Sequence, residues 1–163
     1  MRRVTGLNTG VTGAIEYSAD SNQRAHEVRS KKIHAIRYAL KTPERFGHEK
    51  GDLLIVGWGS SRGAISEAVQ SLNNAGHKVG GLHFKMVYPL PLNLREIFDS
   101  YTHVVTVEMA YGDSLKSTPF SMMLRSETLC NVSCLISESK GRPLKPVYLI
   151  EKSLAFLKEV QHV

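Results

Sequence analysis

The chain has 163 residues, of which 42% are hydrophobic and 22% are charged, and its formal net charge is +6. This length and composition predict a globular protein that can bury its own core. The longest fully apolar run, Leu53 to Val56, is too short to cross a bilayer, and no apolar segment follows Arg2 and Arg3, so we expect a cytoplasmic protein without a secretory signal.

The first fifty residues are predicted to form two segments that precede the main domain. Residues 1–22 have no sustained hydrophobic period and are interpreted as an N-terminal arm or linker. Residues 23–50 are interpreted as a basic helix, Gln23 to Lys41, followed by a loop. Much of the positive charge lies here, and a solvated helix face explains it better than a nucleic-acid-binding surface, because no named nucleic-acid motif accompanies it.

Residues 51–163 are predicted to form an α/β domain in which strands and helices alternate. The strands are short apolar runs, and each helix has apolar residues at helical spacing. This alternation predicts a three-layer α/β/α sandwich with a mostly parallel sheet. The predicted strands are Leu53–Val56, Lys78–Phe84, His103–Val107 and Asn131–Ile136; the predicted helices are Arg62–Ala75, Leu92–Asp99, a segment within 114–129, and Val147–Val160. The last helix is expected to bury Ile150, Leu154, Phe156 or Leu157, and Val160.

A glycine-rich turn joins the first predicted strand to the first helix of this domain. It is a candidate ligand, anion or interface turn, because glycines allow a tight backbone and helix N-termini favour anions. A purely structural turn, in which Ser60 or Ser61 caps the helix, is the favoured alternative. The glycine spacing departs by one residue from the dinucleotide-binding fingerprint. The residues of this turn are Gly57, Gly59, Ser60, Ser61, Arg62 and Gly63, with Trp58 between them.

Other chemistry-bearing residues give weaker signals. His83 and Glu108 end two predicted strands, where α/β sheets bind ligands, so they form a possible strand-end site. No catalytic residue and no metal ligand set is predicted. Cys130 and Cys134 are interpreted as small buried thiols, because their spacing does not match an iron–sulfur or zinc site. Gly51-Asp52 and Asn73-Asn74 resemble a thiamine diphosphate signature only superficially, since Leu53 replaces its second glycine.

Several segments, in chain order, resemble alpha subunits of 2-oxoacid:ferredoxin oxidoreductases. The match runs over nearly the whole chain, and it differs from that family at Ser61-Arg62 and at Ala110 to Asp113. The matching segments are Arg3-Val4-Thr5-Gly6-Leu7, the helix around His26, Lys32 and Ile36, Leu54 to Ser60, His83 with Tyr88-Pro89-Leu90-Pro91, Val105 to Glu108, Leu124 to Glu127, and Gly141-Arg142-Pro143.

The resemblance implies a transketolase C-terminal-like fold, a five-stranded sheet with one antiparallel strand. The N-terminal arm, near Val4 or Val11, is one candidate source of the fifth strand, and the sequence leaves its source open. It also implies a non-catalytic structural or assembly domain of the alpha subunit, with no turnover by the isolated chain. The assembled enzyme would oxidatively decarboxylate a 2-oxoacid to an acyl-CoA and pass electrons to ferredoxin.

The same resemblance implies that the cofactors lie elsewhere. Thiamine diphosphate, magnesium, iron–sulfur clusters and CoA are implied for the assembled enzyme, and none of them for this chain alone. The implied partners are the alpha subunit's pyrimidine-binding domain and the beta subunit, with ferredoxin as an indirect partner and homo-oligomers left open. The alternative function is a stand-alone nucleotide- or CoA-binding Rossmann-like module that uses the Gly57–Gly63 turn.

Overall fold

The computed structural model describes residues 7–8, 10, 12–112 and 118–161, which divide into two compact units, Met1–Leu40 and Lys41–Val163. Helix α1 of the first unit spans Ala19–Ala39 and starts earlier than predicted. Its start is fixed by Ser18, whose hydroxyl accepts a hydrogen bond of 3.2 Å from the Ser21 N–H. No residue of α1 is buried. None of the helices within the described ranges is long and apolar enough to cross a membrane.

The second unit contains a five-stranded sheet and four further helices. The sheet order is β1-β3-β2-β4-β5, in which β1 is antiparallel to β3 and the other neighbours are parallel. The strands are β1 (Arg45–Gly47), β2 (Gly51–Trp58), β3 (Val79–Phe84), β4 (Tyr101–Glu108) and β5 (Val132–Ser137), and the helices are α2 (Arg62–Asn74), α3 (Leu94–Phe98), α4 (Pro119–Thr128) and α5 (Pro146–Gln161).

Two hydrophobic clusters cover the two faces of the sheet. Strand β2 lies at the centre, and its Leu53–Val56 run is fully buried because alternate side chains enter opposite clusters. Helices α2 and α5 pack on one face around Ile65 and Leu149. Helices α3 and α4 cover the other face around Phe98 and Phe120. The three-layer α/β/α architecture with a mostly parallel sheet is therefore confirmed.

The antiparallel fifth strand comes from a segment that we predicted to be loop. Strand β1 has only three residues, and Phe46 lies over Gly81 of β3, where an added Cβ would come within 2.2 Å of its ring. A strand this short has no measurable alternation in sequence, so its pairing depends on contacts distant in the chain. Val4 and Val11, the candidate source named from the sequence, lie outside the described residues.

Two burial predictions were wrong in detail. We expected α5 to bury Ile150, Leu154, Phe156 or Leu157, and Val160. Leu157 is buried, but Ile150, Leu154 and Val160 are only half-buried. The other buried residues of α5 are Leu149 and Ser153, and the Ser153 hydroxyl is satisfied by donating to the Leu149 carbonyl at 2.8 Å. The two cysteines, expected to be buried, are half-buried.

Candidate functional site at the carboxyl edge of the sheet

The carboxyl ends of β3, β2 and β4 meet at one edge of the sheet, which we call the carboxyl edge. Gly57 of β2 is in register with His83 of β3 and with Val107 of β4. Neighbouring strands lie about 5 Å apart, so the loops that leave these three strands share one surface. The predicted turn and both predicted strand-end residues lie at this edge.

The turn begins with a glycine that the packing requires. A Cβ at Gly57 would come within 2.3 Å of the Ile65 Cδ1 atom and 2.6 Å of the Ser61 hydroxyl oxygen. Gly59 has a φ of +64°, a conformation that other residues rarely adopt. By contrast, a Cβ at Gly63 would meet no atom within 4 Å. Gly57 and Gly59 therefore shape the turn, and Gly63 does not.

The serine expected to cap the following helix makes a different contact. Ser61 occupies the N-cap position of α2 and is buried, but its hydroxyl donates to the Trp58 carbonyl at 2.9 Å. No side chain caps α2. The capping interpretation of Ser61 was therefore wrong, because its hydroxyl closes the short 3₁₀ turn, Gly59–Ser61, that precedes the helix.

His83 connects the end of β3 to this turn. It is buried, and its Nε2 atom lies 3.0 Å from the Gly59 carbonyl oxygen. Because a carbonyl can only accept, Nε2 carries the proton. Burial lowers the pKa of His83, the hydrogen bond to Gly59 opposes this, and the positive charges of Arg62 and Lys85 lower the pKa further. The lowered pKa favours the neutral imidazole, which donates to the Gly59 carbonyl.

The positive charges at this edge are exposed. Arg62 Nη2 lies 3.1 Å from the Glu44 carboxylate, and both side chains are mostly in solvent. Such an exposed ion pair contributes at most about 1 kcal/mol to the free energy of unfolding. Lys85, directly after β3, is also exposed and makes no ion pair within the described part of the chain. Among the described residues at this edge, Lys85 is thus the exposed cation without an ion-pair partner.

Glu108 lies on the other face of the sheet. Val107, which precedes it in β4, belongs to the cluster under α2, so strand alternation turns Glu108 toward α4. Its carboxylate accepts from the backbone N–H groups of Phe120, at 3.1 Å, and Ser121, at 3.0 Å. It also accepts from the hydroxyls of Thr106 and Thr118. Glu108 therefore binds the start of α4, and the structure does not bring it together with His83.

The residues that superficially resemble a thiamine diphosphate signature have structural positions in the fold. The Asn73 amide donates to the Val79 carbonyl at 2.9 Å and accepts from the Val79 N–H at 2.8 Å. Asp52 lies near the start of β2, at the opposite edge from the glycine-rich turn. Among the described residues, no group of three or more His, Cys, Asp or Glu is arranged to hold a metal ion. These residues do not fit thiamine diphosphate, magnesium or an iron–sulfur cluster.

Sequence reasoning missed the exposed apolar side chains at the carboxyl edge. Trp58 ends β2, Met86 and Tyr88 follow β3, and Tyr111 follows β4; all four are exposed. The signal was present, since large apolar residues directly after strand ends are unusual in loops. These four residues are far apart in the sequence, and only the strand order brings the ends of their strands to one edge.

Comparison with known proteins places these observations in context. Residues 51–146, which contain all four parallel strands, match the family model of pyruvate:ferredoxin oxidoreductase core domain II. The chain is 30% identical to 2-oxoglutarate oxidoreductase subunit KorA of Mycobacterium tuberculosis over 85% of its own length and 20% of that protein. It is 28% identical to 2-oxoacid:ferredoxin oxidoreductase subunit alpha of Saccharolobus solfataricus, over 69% of this chain and 19% of that one.

One solved structure of this enzyme family resembles nearly the whole chain. The 2-oxoglutarate:ferredoxin oxidoreductase from Magnetococcus marinus, determined with 2-oxoglutarate, coenzyme A and succinyl-CoA bound, superimposes with a TM-score of 0.79 at 25% sequence identity. The superposition covers 96% of this chain and 27% of that one. The chain thus spans about a fifth of the length of the curated relatives that it matches.

Proposed function

Because the chain belongs to the family of pyruvate:ferredoxin oxidoreductase core domain II, we propose that it is a non-catalytic assembly domain of the alpha subunit of a 2-oxoacid:ferredoxin oxidoreductase. The family match over residues 51–146 carries this proposal, since it includes the central sheet and the candidate edge. The share of the relatives that the chain spans supports a role as one part of a larger enzyme.

The use of the polar groups supports a non-catalytic role. His83, Ser61, Asn73 and Glu108 each hydrogen-bond to a group within their own domain. A general acid or base must have a hydrogen-bonding position available to the substrate. In the described part of the domain, these groups instead stabilise the turn, the neighbouring strands and the start of α4.

The chemistry is proposed for the assembled enzyme. That enzyme would decarboxylate a 2-oxoacid oxidatively, form an acyl-CoA and pass two electrons to ferredoxin. Thiamine diphosphate with magnesium, iron–sulfur clusters and CoA would be bound by the alpha subunit's pyrimidine-binding domain, the beta subunit and other parts of the assembly, in the cytoplasm. This chain would pack against those parts and hold them in place.

The rival function, a stand-alone module that binds a nucleotide or CoA, is not favoured. The glycine-rich turn uses its Ser61 hydroxyl and its Gly59 carbonyl in internal hydrogen bonds. The family match is to a domain of a larger subunit. Calorimetry with CoA and with ATP distinguishes the two functions: we expect no saturable binding to the isolated chain, whereas micromolar binding of either ligand would favour the module.

An activity assay tests the assembly role. The purified chain is mixed with 2-oxoglutarate or pyruvate, CoA and a viologen dye, with and without the remaining alpha-subunit and beta-subunit polypeptides of the same organism. We expect no dye reduction by the chain alone, and reduction only when all parts are present. Reduction by the chain alone, or full activity of the other polypeptides without it, contradicts the proposal.

A further inference from the structure

Exposed hydrophobic side chains are unevenly distributed between the two edges of the sheet. At the carboxyl edge, Trp58 is 38% exposed, Met86 47%, Tyr88 65% and Tyr111 77%. The loops at the opposite, amino edge expose mainly polar residues; there, Leu129 is the large hydrophobic side chain that the structure describes as exposed. Exposed apolar groups that gather at one edge indicate an interaction surface, whereas scattered ones do not. We call Trp58, Met86, Tyr88 and Tyr111 the edge patch.

The composition of the edge patch suits a protein partner. Trp, Tyr and Met are the side chains enriched where protein interfaces are most deeply buried. Trp58 is also held in place, because its ring packs edge-on against Phe120 at 6.4 Å between centroids, and Phe120 packs against Phe84 at 5.3 Å. A side chain fixed before binding loses less conformational entropy on docking, so Trp58 is suited to act as an anchor.

The charges beside the edge patch indicate which charge the partner surface carries. Arg62 and Lys85 are exposed there, and Lys85 makes no ion pair with any other described residue. Glu44 balances the charge of Arg62, and Glu108 is buried under α4, so among the described residues Lys85 is the cation at this edge that no carboxylate balances. A complementary surface would present carboxylates around an apolar centre.

We propose that the edge patch, with Lys85 beside it, docks this chain onto an apolar surface flanked by carboxylates in the part of the alpha subunit that this chain does not span. This inference rests on the proposed function. The KorA and alpha-subunit relatives are about five times longer than the matched segment, so a domain of this kind has an extensive polypeptide surface to pack against.

The single tryptophan allows a direct test. The chain is labelled with 5-fluorotryptophan, so that Trp58 gives one ¹⁹F resonance, and is titrated with the unlabelled remainder of the alpha subunit and the beta subunit of the same organism. We expect a saturable shift of the resonance and loss of its solvent isotope effect, because docking buries the indole. Binding without any change at Trp58 overturns the inference.

Matched variants separate the patch from the rest of the surface. The double variant Met86→Ser/Tyr88→Ser and the charge reversal Lys85→Glu are each expected to weaken binding about tenfold or more. Leu129→Ser, an equally exposed apolar change at the amino edge, is the control and is expected to leave affinity unchanged within about twofold. All these side chains are exposed, so circular dichroism and thermal unfolding should confirm an intact fold for each variant.

The outcomes distinguish the two proposals. If the chain binds its partner subunits and only Leu129→Ser weakens binding, the docking surface is misplaced although the assembly role stands. If the chain binds neither subunit, the proposed function itself fails. A shift of the Trp58 resonance that depends on the concentration of the chain alone, together with dimers in sedimentation, would show that a second copy occupies the patch and overturn the inference.

Discussion

At the scale of single residues, the buried polar side chains of this domain have partners within it. His83 donates to the Gly59 carbonyl, and Glu108 accepts four hydrogen bonds at the start of α4. A buried polar group without a partner would cost about 1–3 kcal/mol, so such pairing is what folding requires. Residue type and strand-end position made both residues site candidates, yet these contacts are those of structural residues.

The lowered pKa of His83 predicts a pH-dependent stability. The unfolded chain binds a proton at His83 near the ordinary pKa of 6.5, whereas the folded chain resists it. The free energy of unfolding should therefore be highest above pH 6.5 and fall as the pH drops below it, by at most about 1.4 kcal/mol per pH unit for this one group. Urea unfolding between pH 7.5 and 5 measures this slope.

Two variants isolate the contribution of His83. His83→Gln should flatten the slope below pH 6.5, because the titrating group is gone, even if overall stability falls. Leu129→Ser changes an exposed side chain that carries no titrating group and should leave the slope as in the wild type. Equal slopes for wild type and His83→Gln would contradict the assignment.

At the scale of elements, the turn between β2 and α2 requires glycine at Gly57, whereas Gly63 has room for a side chain. Gly57→Ala places a methyl group within 2.3 Å of Ile65 and 2.6 Å of Ser61, both well packed. We expect a loss of about 1–3 kcal/mol in the free energy of unfolding. Gly63→Ala is the matched control, since it adds a methyl into open space on an exposed helix and should stabilise by up to about 1 kcal/mol.

Chemical denaturation of the two alanine variants checks this difference. The order of stability should be Gly63→Ala, wild type and then Gly57→Ala. If both variants were equally stable, the close contact at Gly57 would be relieved by movement of Ile65. In that case the turn would tolerate a side chain there.

The start of α4 depends on Glu108 in the neighbouring strand. Glu108→Ala would leave two backbone N–H groups and two hydroxyls without their buried acceptor. We therefore expect the free energy of unfolding to fall by about 3 kcal/mol or more. Glu108→Gln keeps one acceptor oxygen but presents its NH₂ group to the remaining donors. Its free energy of unfolding should therefore lie between those of the wild type and Glu108→Ala. Thermal unfolding ranks the three proteins, and a neutral Glu108→Ala would refute the role assigned to this carboxylate.

At the scale of the whole molecule, the faces of the sheet carry the hydrophobic core, and its carboxyl edge carries the proposed contact surface. The two hydrophobic clusters on its faces hold the second unit together, whereas four exposed apolar side chains, those of the edge patch, lie at its carboxyl edge. Related α/β sheets place ligand-binding groups at that edge. Here the described edge offers aromatic and cationic surface in their place, which is consistent with a domain whose proposed role is to join other parts of an enzyme.

The sequence by itself determined the parallel strands and the layered α/β/α architecture, because continuous apolar runs such as Leu53–Val56 and the 3.6-residue periods between them are local patterns. Its motif series also identified the family. Only the tertiary structure decided that Arg45–Gly47 forms the antiparallel strand, that His83 and Glu108 lie on opposite faces, and that Trp58 shares an edge with Tyr88. Those facts depend on strand order and register, which bring together residues far apart in the chain, and local periodicity does not encode which strand lies beside which.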